Sequence, residues 1–395
     1  MSDVHARLSA SGAKKWMNCP GAVQMEERFE DKPSEFAKEG TKAHALGELK
    51  IRLAANQMTR REYGEGIAEL GDISGELDEY TDGYRDFVIE RYSEVQRSTS
   101  DAQLLIEQRL DFSAYVPGGF GTGDVVIVGD GIIEIIDLKY GSGVRVSAEN
   151  NPQLRLYALG AVEEFGFLYD AERVRMTIYQ PRMDNISSEE ITIDELIEWG
   201  GIVSARARLA ADDSITDCVA GDHCDSGFCK ARAVCRAYAD KRLAIARYDF
   251  RIPSALSNEE ISEILEQSDR LSKWAGLVSD YALDRAVNHG AVFPGYKLVE
   301  GRSNRKYCKP ESEIADILTE HGYKPEDLFN TSLKGITEME KLLGKTNFKK
   351  LLKDCVIKPA GRPALVPLDD KRSAISSEQN AADDFKNIID KKGEM

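Results

Sequence analysis

The sequence lacks the long apolar runs that would place it in a membrane. None of its 395 residues belongs to a run of about 18 apolar residues, which a membrane-spanning helix requires. The N-terminus, Met-Ser-Asp-Val-His-Ala-Arg-Leu, has no apolar core of the kind found in signal peptides. We therefore expect a cytoplasmic protein with no membrane partner.

Positive charge is also scarce. The chain has 52 Lys and Arg against 68 Asp and Glu, which gives a net charge of -16. This charge argues against a protein that coats nucleic acid nonspecifically. It does not argue against a nuclease, because bound metal ions and a local basic groove offset the global charge at the site. The length predicts two or three domains with a sizeable core.

The cysteines do not form the even set expected of a disulfide framework. There are seven, and no secretion signal accompanies them, so ligation is the better interpretation. Four thiolates bind either one Zn²⁺ or a [4Fe–4S] cluster. From spacing alone Cys19 is a lone buried cysteine at a helix end before Pro20-Gly21, and the nearest four are Cys218, Cys224, Cys229 and Cys235.

What the sequence does contain is a strong hairpin signal between Gly121 and Lys139. Two β-branched runs flank Gly129-Asp130-Gly131, and Asp-Gly at the centre of such runs is typical of a type I′ turn. That turn predicts three cross-strand pairs, namely Val128–Ile133, Val126–Ile135 and Asp124–Asp137.

Two carboxylates placed opposite each other repel, and a cation between them removes the repulsion. Strand alternation puts Lys139 on the same face as Asp137. Mg²⁺ is typically held by one or two carboxylates together with substrate phosphates. The hairpin is therefore either half of a metal site or a surface hairpin whose charges point into water.

The elements before the hairpin read as a helical arm followed by a strand. Thr41 is a candidate N-cap, and His44 and Glu48 share one face of the helix that it would begin. Residues 61–101 form an acidic segment that we expect to be an exposed helical insertion. The strand at 103–112 contains Glu107, which faces the site or pairs with Arg109 across solvent.

After the hairpin the pattern predicts helix, strand and helix. Pro152 is placed for the first turn of a helix in which Gln153 and Tyr157 share a face. A strand is predicted at 174–180 and a helix at 191–211. The fold class is therefore α/β, with a mixed central sheet flanked by helices and entered from a helical N-terminal arm.

The C-terminal third reads as mainly helical. A long amphipathic helix is predicted from Asn258 to Val287, then a short hairpin over 294–307, then two or three helices over 311–353. The hairpin tip is either a solvated loop or a DNA contact through Arg302, Arg305, Lys306 and a stacking Tyr307. The predicted domains are 1–250, an accessory domain 251–366 and a mobile charged tail 367–395.

Together these motifs resemble the RecB-like branch of the PD-(D/E)xK nucleases. The shared features are Gly40-Thr41…His44, Gly123-Asp124, Asp137-Leu138-Lys139 and Gln153…Tyr157. The cysteines resemble the iron–sulfur subset of that branch, which includes AddB-type nuclease domains and a CRISPR-adaptation nuclease. Over the whole chain the resemblance is to a phage and prophage family of RecB-like exonucleases, through segments such as 293–303 and 358–363.

The resemblance implies a role for each matching residue. His44, Asp124, Asp137 and the Leu138 carbonyl would hold Mg²⁺ or Mn²⁺. Lys139 would be the catalytic lysine, and Gln153 and Tyr157 would support the site and contact DNA. Separately from the resemblance, Glu107 is a candidate DNA contact if it faces the site. The [4Fe–4S] ligands would be Cys19, Cys224, Cys229 and Cys235.

The sequence departs from the family pattern at two places. Cys224 and Cys229 are separated by four residues rather than the usual two, so Cys218 stays open as a substitute ligand. Asp137 stands where many members have Glu.

The implied function is a metal-dependent DNA exonuclease of phage replication or recombination, in the cytoplasm of a bacterium or a phage-infected host. Its implied partners are DNA and a single-strand annealing or binding protein, and an oligomer is compatible with the sequence. The alternatives are a non-catalytic module that binds DNA ends with the same fold, and a regulator with a zinc ribbon.

Overall fold

A five-stranded mixed sheet lies at the centre of the fold. The computed structural model describes residues 6–30, 35–244, 257–297, 299, 310–320, 335–352 and 355–356. The strands lie in chain order across the sheet, and all neighbours are antiparallel except the third and fourth. Their bounds are β1 Gln103–Asp111, β2 Phe120–Gly129, β3 Ile132–Leu138, β4 Arg173–Gln180 and β5 Asn185–Thr192. The predicted α/β class with a mixed sheet is confirmed at this level.

Helices pack on both faces of the sheet and continue beyond it. None of the described helices combines the length and the apolar character needed to cross a bilayer. The helices of the described residues are α1 Ala13–Trp16, α2 Ala22–Glu26, α3 Glu35–Ala54, α4 Arg60–Leu70, α5 Gly75–Gln96, α6 Pro152–Phe165, α7 Ile193–Ala211, α8 Asp222–Ser226, α9 Arg236–Leu243, α10 Asn258–His289, α11 Glu311–Glu320, α12 Ile336–Leu343 and α13 Lys345–Leu352.

The parallel step from β3 to β4 is made by α6. Its start has two local signals, because the Asn151 side chain accepts hydrogen bonds from the amides of Gln153 and Leu154, and Pro152 occupies the first turn. The proline needs no amide partner there, and its fixed φ suits a helix start. Leu154 and Ala158, one turn apart on the same face of α6, are fully buried. This packing fixes which face of α6 points at the ends of β2 and β3.

The predicted hairpin register is confirmed, but the predicted turn type is wrong. Val128 pairs with Ile133 and Val126 with Ile135. Gly131 has a φ of +74°, whereas Asp130 is not in the positive-φ region, and a type I′ turn requires positive φ at both positions. The turn is anchored from outside the hairpin: the Asp130 amide donates to Thr99 Oγ1 at 2.8 Å and the Gly131 amide to the Tyr169 carbonyl at 3.0 Å. These contacts set the tip geometry in place of an isolated two-residue turn.

Each face of the sheet carries its own hydrophobic layer. One layer, containing Val126 and Ile135, is covered by α6 and α7. The other, containing Val125 and Ile136, is covered by α3 and α5. Neighbouring residues thus point to opposite layers, as strand alternation requires.

β1 changes face at Glu107. Leu104 and Ile106 belong to the layer under α3 and α5, whereas Leu110 belongs to the layer under α6 and α7. A regular strand keeps even-numbered residues on one face. Glu107 has a φ of +52°, a left-handed conformation that costs a non-glycine residue about 1–2 kcal/mol. This single residue redirects the second half of the strand.

Three sequence expectations need correction. Thr41 is not an N-cap, because α3 begins at Glu35 and runs through it. The segment 61–101 is exposed only in part: α4 buries none of its residues, but α5 buries Tyr84 and Val88 against the sheet. Strand β5 was not predicted, because its Ser and Glu residues show little of the apolar alternation that marks a strand, and it lies at the sheet edge.

The chain divides into two compact units, Met1–Val299 and Glu300–Met395. In the first unit, α10 packs on α9 and on the short 3₁₀ helix Lys230–Ala233. In the second, α12 packs on α13, and Phe348 is buried. The domain limits at 250 and 366 stay predictions. Arg302, Arg305, Lys306, Tyr307 and the tail 367–395 lie outside the described residues.

Candidate metal centre and cysteine site

Three acids from three adjacent strands lie at one level of the sheet. The last hairpin ladder pair, Val125–Ile136, puts Asp124 of β2 and Asp137 of β3 next in register. The β1–β2 ladder is interrupted at Glu107, level with Asp124. The Asp124 Oδ2 atom accepts a hydrogen bond from the Leu138 amide at 2.7 Å. The two predicted aspartates therefore meet where the strands leave the ladder.

Lys139 and Gln153 surround the Asp137 carboxylate. Lys139 Nζ lies 2.8 Å from Asp137 Oδ2 and donates to Gln153 Oε1 at 3.1 Å. The Gln153 amide donates to Asp137 Oδ1 at 3.1 Å and to the Tyr157 hydroxyl at 3.4 Å. A side chain at Gly121 would lie 2.7 Å from the Tyr157 ring, so glycine is required there. The structure thus joins four residues that the sequence predicted as one group.

The charge states of this group follow from burial and pairing. Burial raises the pKa of Asp137, partly against the attraction of Lys139. Burial also acts to lower the pKa of Lys139, but the Asp137 carboxylate outweighs it and the pKa is raised. Lys139 is therefore an ammonium cation at neutral pH. Burial raises the pKa of Tyr157, which keeps its hydroxyl protonated.

His44 reaches Asp124 from α3. Helix α3 covers the face of the sheet opposite to the one that α6 covers. The His44 Nδ1 atom lies 3.2 Å from Asp124 Oδ1. Burial acts to lower the pKa of His44, but the hydrogen bond and charge of Asp124 raise it to about 8. Gly47, one turn later on α3, allows a close approach, because a Cβ there would lie 3.0 Å from the Tyr84 ring. Helix α3 is thereby held near enough for His44 to reach Asp124.

We expect a proton NMR titration of the metal-free protein to give His44 a pKa near 8, and Asp124→Asn to bring it to 6.5 or below, since burial then dominates. Because the folded pKa exceeds the unfolded value of 6.5, the pairing stabilises the fold fully below pH 6.5. That stability is lost as pH rises through about 8.

The same titration in Mg²⁺ should lose the His44 transition, since a metal ligand must be the neutral imidazole. The His44 resonance is assigned with His44→Gln. An unchanged His44 pKa in Asp124→Asn would contradict the pairing.

The donor atoms fit a hard divalent cation. One ligand atom from each of His44, Glu107 and Asp124 lies within 4.8 Å of the other two. Asp137 Oδ2 is buried and, apart from its ion pair with Lys139, has no hydrogen-bond partner among the described residues. Imidazole and carboxylate oxygens are ordinary ligands of Mn²⁺ and Mg²⁺. The Leu138 carbonyl stays a prediction, although its peptide lies at the site.

The described cysteines of the N-terminal arm and of the 218–235 segment line one small cavity, together with His223 and Tyr238. Cys19 comes from the arm, and Gly21 permits the contact, because a Cβ there would lie 2.8 Å from the Thr216 and Asp217 carbonyls. The five cysteines that line it are Cys19, Cys218, Cys224, Cys229 and Cys235.

Backbone amides point at two of the sulfurs. The Val219 amide, 200 residues away in sequence, donates to Cys19 Sγ at 3.3 Å, and the Gly221 amide donates to Cys224 Sγ at 3.5 Å. Such donors stabilise a thiolate. Contact with the Cys218 thiol lowers the pKa of Cys19 to about 6, whereas burial raises that of Cys229 to about 11.

The sulfurs are spread more widely than one zinc ion allows. Among the described residues, no three cysteine sulfurs lie within 4.8 Å of one another. Four thiolates on one tetrahedral Zn²⁺ lie roughly 3.8 Å apart, given a Zn–S distance of about 2.3 Å. The donor set therefore fits a larger thiolate-bound group better than a single ion. Cys218 lines the cavity with the others, so the choice of four ligands stays open.

Sequence reasoning missed two features of the metal centre. The Tyr84 hydroxyl is buried and has no hydrogen-bond partner among the described residues, and nothing in its local sequence signals this. Glu107 was predicted as a DNA contact, yet its carboxylate lies beside His44 and Asp124. The even-numbered apolar residues on both sides of Glu107 belong to different layers, and only the three-dimensional packing shows this.

Comparison with known proteins gives a family match and several structural matches. The structure titled "Crystal structure of SSO0001" matches 55% of this chain and 95% of its own at 14% identity, with a TM-score of 0.21. At that TM-score the match supports no inference. The family model "Protein of unknown function (DUF2800)" matches residues 5–373. The chain therefore belongs to the DUF2800 family.

Proposed function

We propose that this protein is a metal-dependent deoxyribonuclease with a PD-(D/E)xK core, acting as an exonuclease. One observation carries the proposal: Asp124, Asp137 and Lys139 converge at the end of a hairpin, and Gln153 from the following helix bonds to two of them. This is the residue order and element order that the resemblance implied. Its location in phage replication or recombination rests on the resemblance alone.

The alternative of a surface hairpin fits this geometry poorly. Asp137 is 2% exposed, and Lys139 and Gln153 enclose its carboxylate. Burying a charged carboxylate is costly unless it is paired or binds a metal. A structural ion pair alone would not require His44 and Glu107 to converge on Asp124 from another strand and helix. The grouping supports a cation site rather than solvated charges.

The residues suit phosphodiester hydrolysis. A divalent cation held by His44, Asp124 and Asp137 would supply Lewis-acid stabilisation of phosphate charge. The Lys139 ammonium would balance charge on the phosphate and orient the attacking water. Gln153 holds the lysine in place, and the Tyr157 hydroxyl is available to a DNA strand.

We also propose that the cysteines bind a [4Fe–4S] cluster in a structural role. The wide spacing of the sulfurs supports a cluster over zinc, and the amide donors to Cys19 and Cys224 suit thiolate ligands in general. Such a cluster would join the N-terminal arm to the segment after α7. The arm leads through α2 into α3, which carries His44, so the cluster would support the metal centre indirectly.

The test is degradation of end-labelled linear DNA and circular DNA by the purified protein. We expect loss of linear DNA in Mg²⁺ or Mn²⁺, no loss in EDTA, and resistance of the circular substrate. Cleavage of the circle would show an endonuclease instead. Binding to DNA ends without cleavage in either metal would favour the alternative function, a non-catalytic end-binding module.

A further inference from the structure

Strands β1 and β2 continue past the metal centre as a two-stranded ribbon. The pairing of β2 with β3 ends at the residue next to Asp124, whereas β1 and β2 stay paired over residues 108–111 and 120–123. These two ranges form the ribbon. The pair Arg109–Thr122 lies within it, two residues and roughly 7 Å along the strand from Asp124. The ribbon therefore begins where the acids lie.

One face of the ribbon is open to solvent, and it is the face that α3 covers further along the sheet. A Cβ at Gly121 would lie 2.7 Å from the Tyr157 ring of α6, so Gly121 is directed at α6. Alternation directs its neighbours Phe120 and Thr122 to the other face, together with Arg109, which is paired with Thr122. Arg109 and Thr122 are both exposed there.

The Arg109 side chain is held by a ring rather than by an anion. Its guanidinium carbon lies 3.8 Å from the centroid of the Phe120 ring, which is within the range of a cation–π contact. Among the described residues, Arg109 has no ion pair and its guanidinium has no hydrogen bond. Asp111, an acid on the same face, instead accepts a hydrogen bond from the Ser113 amide at 2.8 Å. The pairing of Arg109 with Glu107 that the sequence allowed is therefore absent.

A stacked guanidinium keeps its hydrogen-bond donors free. The N–H groups point outward in the plane of the group, so a ring against its face leaves them available. The planar fork matches the oxygens of a phosphate, and the group is charged at any physiological pH. In a chain with a net charge of -16, an exposed cation without an anion is well suited to an anionic ligand.

We propose that Arg109, held on Phe120, binds a backbone phosphate of a nucleic-acid strand that runs along the ribbon to the metal centre. The exposed Thr122 hydroxyl beside it is a second donor to the same backbone. The roughly 7 Å to the level of Asp124 corresponds to about two nucleotides of a stacked strand, at about 3.4 Å each. The contact rests on the proposed function, because this is the strand that the metal centre would cut.

The test measures binding of a fluorescent single-stranded oligonucleotide, and of the same sequence as a duplex, by anisotropy in Ca²⁺ on the full chain as purified. Arg109→Gln removes the charge of an exposed side chain. We expect it to weaken single-strand binding about 10-fold. The slope of log K against log salt concentration should fall by about 0.7. A similar loss with the duplex would show that the contact serves both forms, and wild-type duplex binding would restrict it to single strands.

The matched control is Arg206→Gln on α7, which covers the opposite face of the sheet. Arg206 is also exposed, so the variant removes the same charge away from the ribbon and should bind both probes as wild type does. Three results would each overturn the proposal: wild-type affinity and salt slope in Arg109→Gln, an equal loss in Arg206→Gln, or no binding of either probe by wild type.

Two further variants test the role of the ring. Phe120→Leu leaves every charge in place and removes the surface on which the guanidinium rests. We expect about 2–5-fold weaker binding with an unchanged salt slope, in a variant that thermal unfolding shows to be folded. Arg109→Lys keeps the charge without the planar group and should show a similar loss. Wild-type affinity in both variants would reject the positioning of Arg109 by Phe120.

The phosphate contact and the nuclease activity can fail independently. Weaker binding by Arg109→Gln, with no DNA cleavage by wild type in Mg²⁺ or Mn²⁺, would keep the contact and reject the nuclease. DNA cleavage by wild type, with wild-type binding by Arg109→Gln, would keep the nuclease and reject the contact.

Discussion

Replacing Lys139 with alanine is expected to lower DNA cleavage by about 10²–10⁴-fold, the range for losing one positioned acid–base or charge-stabilising group. The ammonium lies 2.8 Å from Asp137 and 3.1 Å from Gln153, and among the described residues no other lysine or arginine pairs with this carboxylate. DNA binding should persist, because one charge among many phosphate contacts is lost. Cleavage of end-labelled DNA and a separate binding assay in Ca²⁺ measure the two effects.

The matched control is Lys273→Ala on α10, an exposed lysine that forms an ion pair with Asp269 of the same helix. It removes the same charge away from the centre and should cleave at the wild-type rate. Lys139→Ala also leaves the buried Asp137 without its cation, so thermal unfolding must show that the variant is folded. Wild-type cleavage by a folded Lys139→Ala would reject the assignment of Lys139.

Cys19→Ala is expected to lose the iron–sulfur absorbance and much of the stability together. A cluster bound by Cys19 and Cys224 closes a loop of roughly 200 residues, and the chain-entropy relation gives such a link roughly 5 kcal/mol. That is a large share of the 5–15 kcal/mol that typically holds a domain folded. Visible absorbance, iron and sulfide content, and urea unfolding measure the two losses.

Cys355→Ala is the control, because Cys355 is exposed and lies in the second compact unit. It should keep both colour and stability. Cys218→Ala decides between the candidate ligand sets: retained iron makes Cys218 a spare, and lost iron makes it a ligand. A colourless native protein containing zinc would reject the cluster itself.

The two sites lie in one compact unit and are connected through the N-terminal arm. Cys19 follows α1, and the chain then passes through α2 towards α3 and His44. A loss of the cysteine site is therefore expected to weaken the metal centre through the position of α3. Loss of the metal centre is not expected to weaken the cysteine site, because the sheet holds the hairpin residues Asp124 and Asp137 in place.

Much of the core was predictable because its signals are local. The Gly129-Asp130-Gly131 turn and its flanking β-branched runs predicted the hairpin register, which is confirmed. Asn151 and Pro152 predicted the start of α6. β5 was missed because its Ser and Glu residues carry no apolar pattern, and its pairing with β4 provides the stabilisation that its composition does not predict.

The start of α3 was mispredicted because a local signal was present but did not decide where the helix begins. Thr41 has the chemistry of an N-cap, but the helix begins earlier, at Glu35. Local preference for a cap is worth only about 1 kcal/mol, and the turn before Thr41 carries an ion pair, 3.0 Å long, between Glu39 and the distant Arg182. The existence of the helix followed from its pattern, whereas its start did not follow from the local cap signal.

The sequence by itself determined the hairpin, the pairing of its strands, and the grouping of Asp124, Asp137 and Lys139, whereas Gln153 and Tyr157 joined that group only through the family resemblance. Period-two alternation and helix caps act over a few residues, so they can be read directly. Tertiary structure alone decided that Glu107 turns left-handed and lies beside His44, and that the Tyr84 hydroxyl is buried without a hydrogen-bond partner among the described residues. Those placements depend on packing between distant elements, which no local signal encodes.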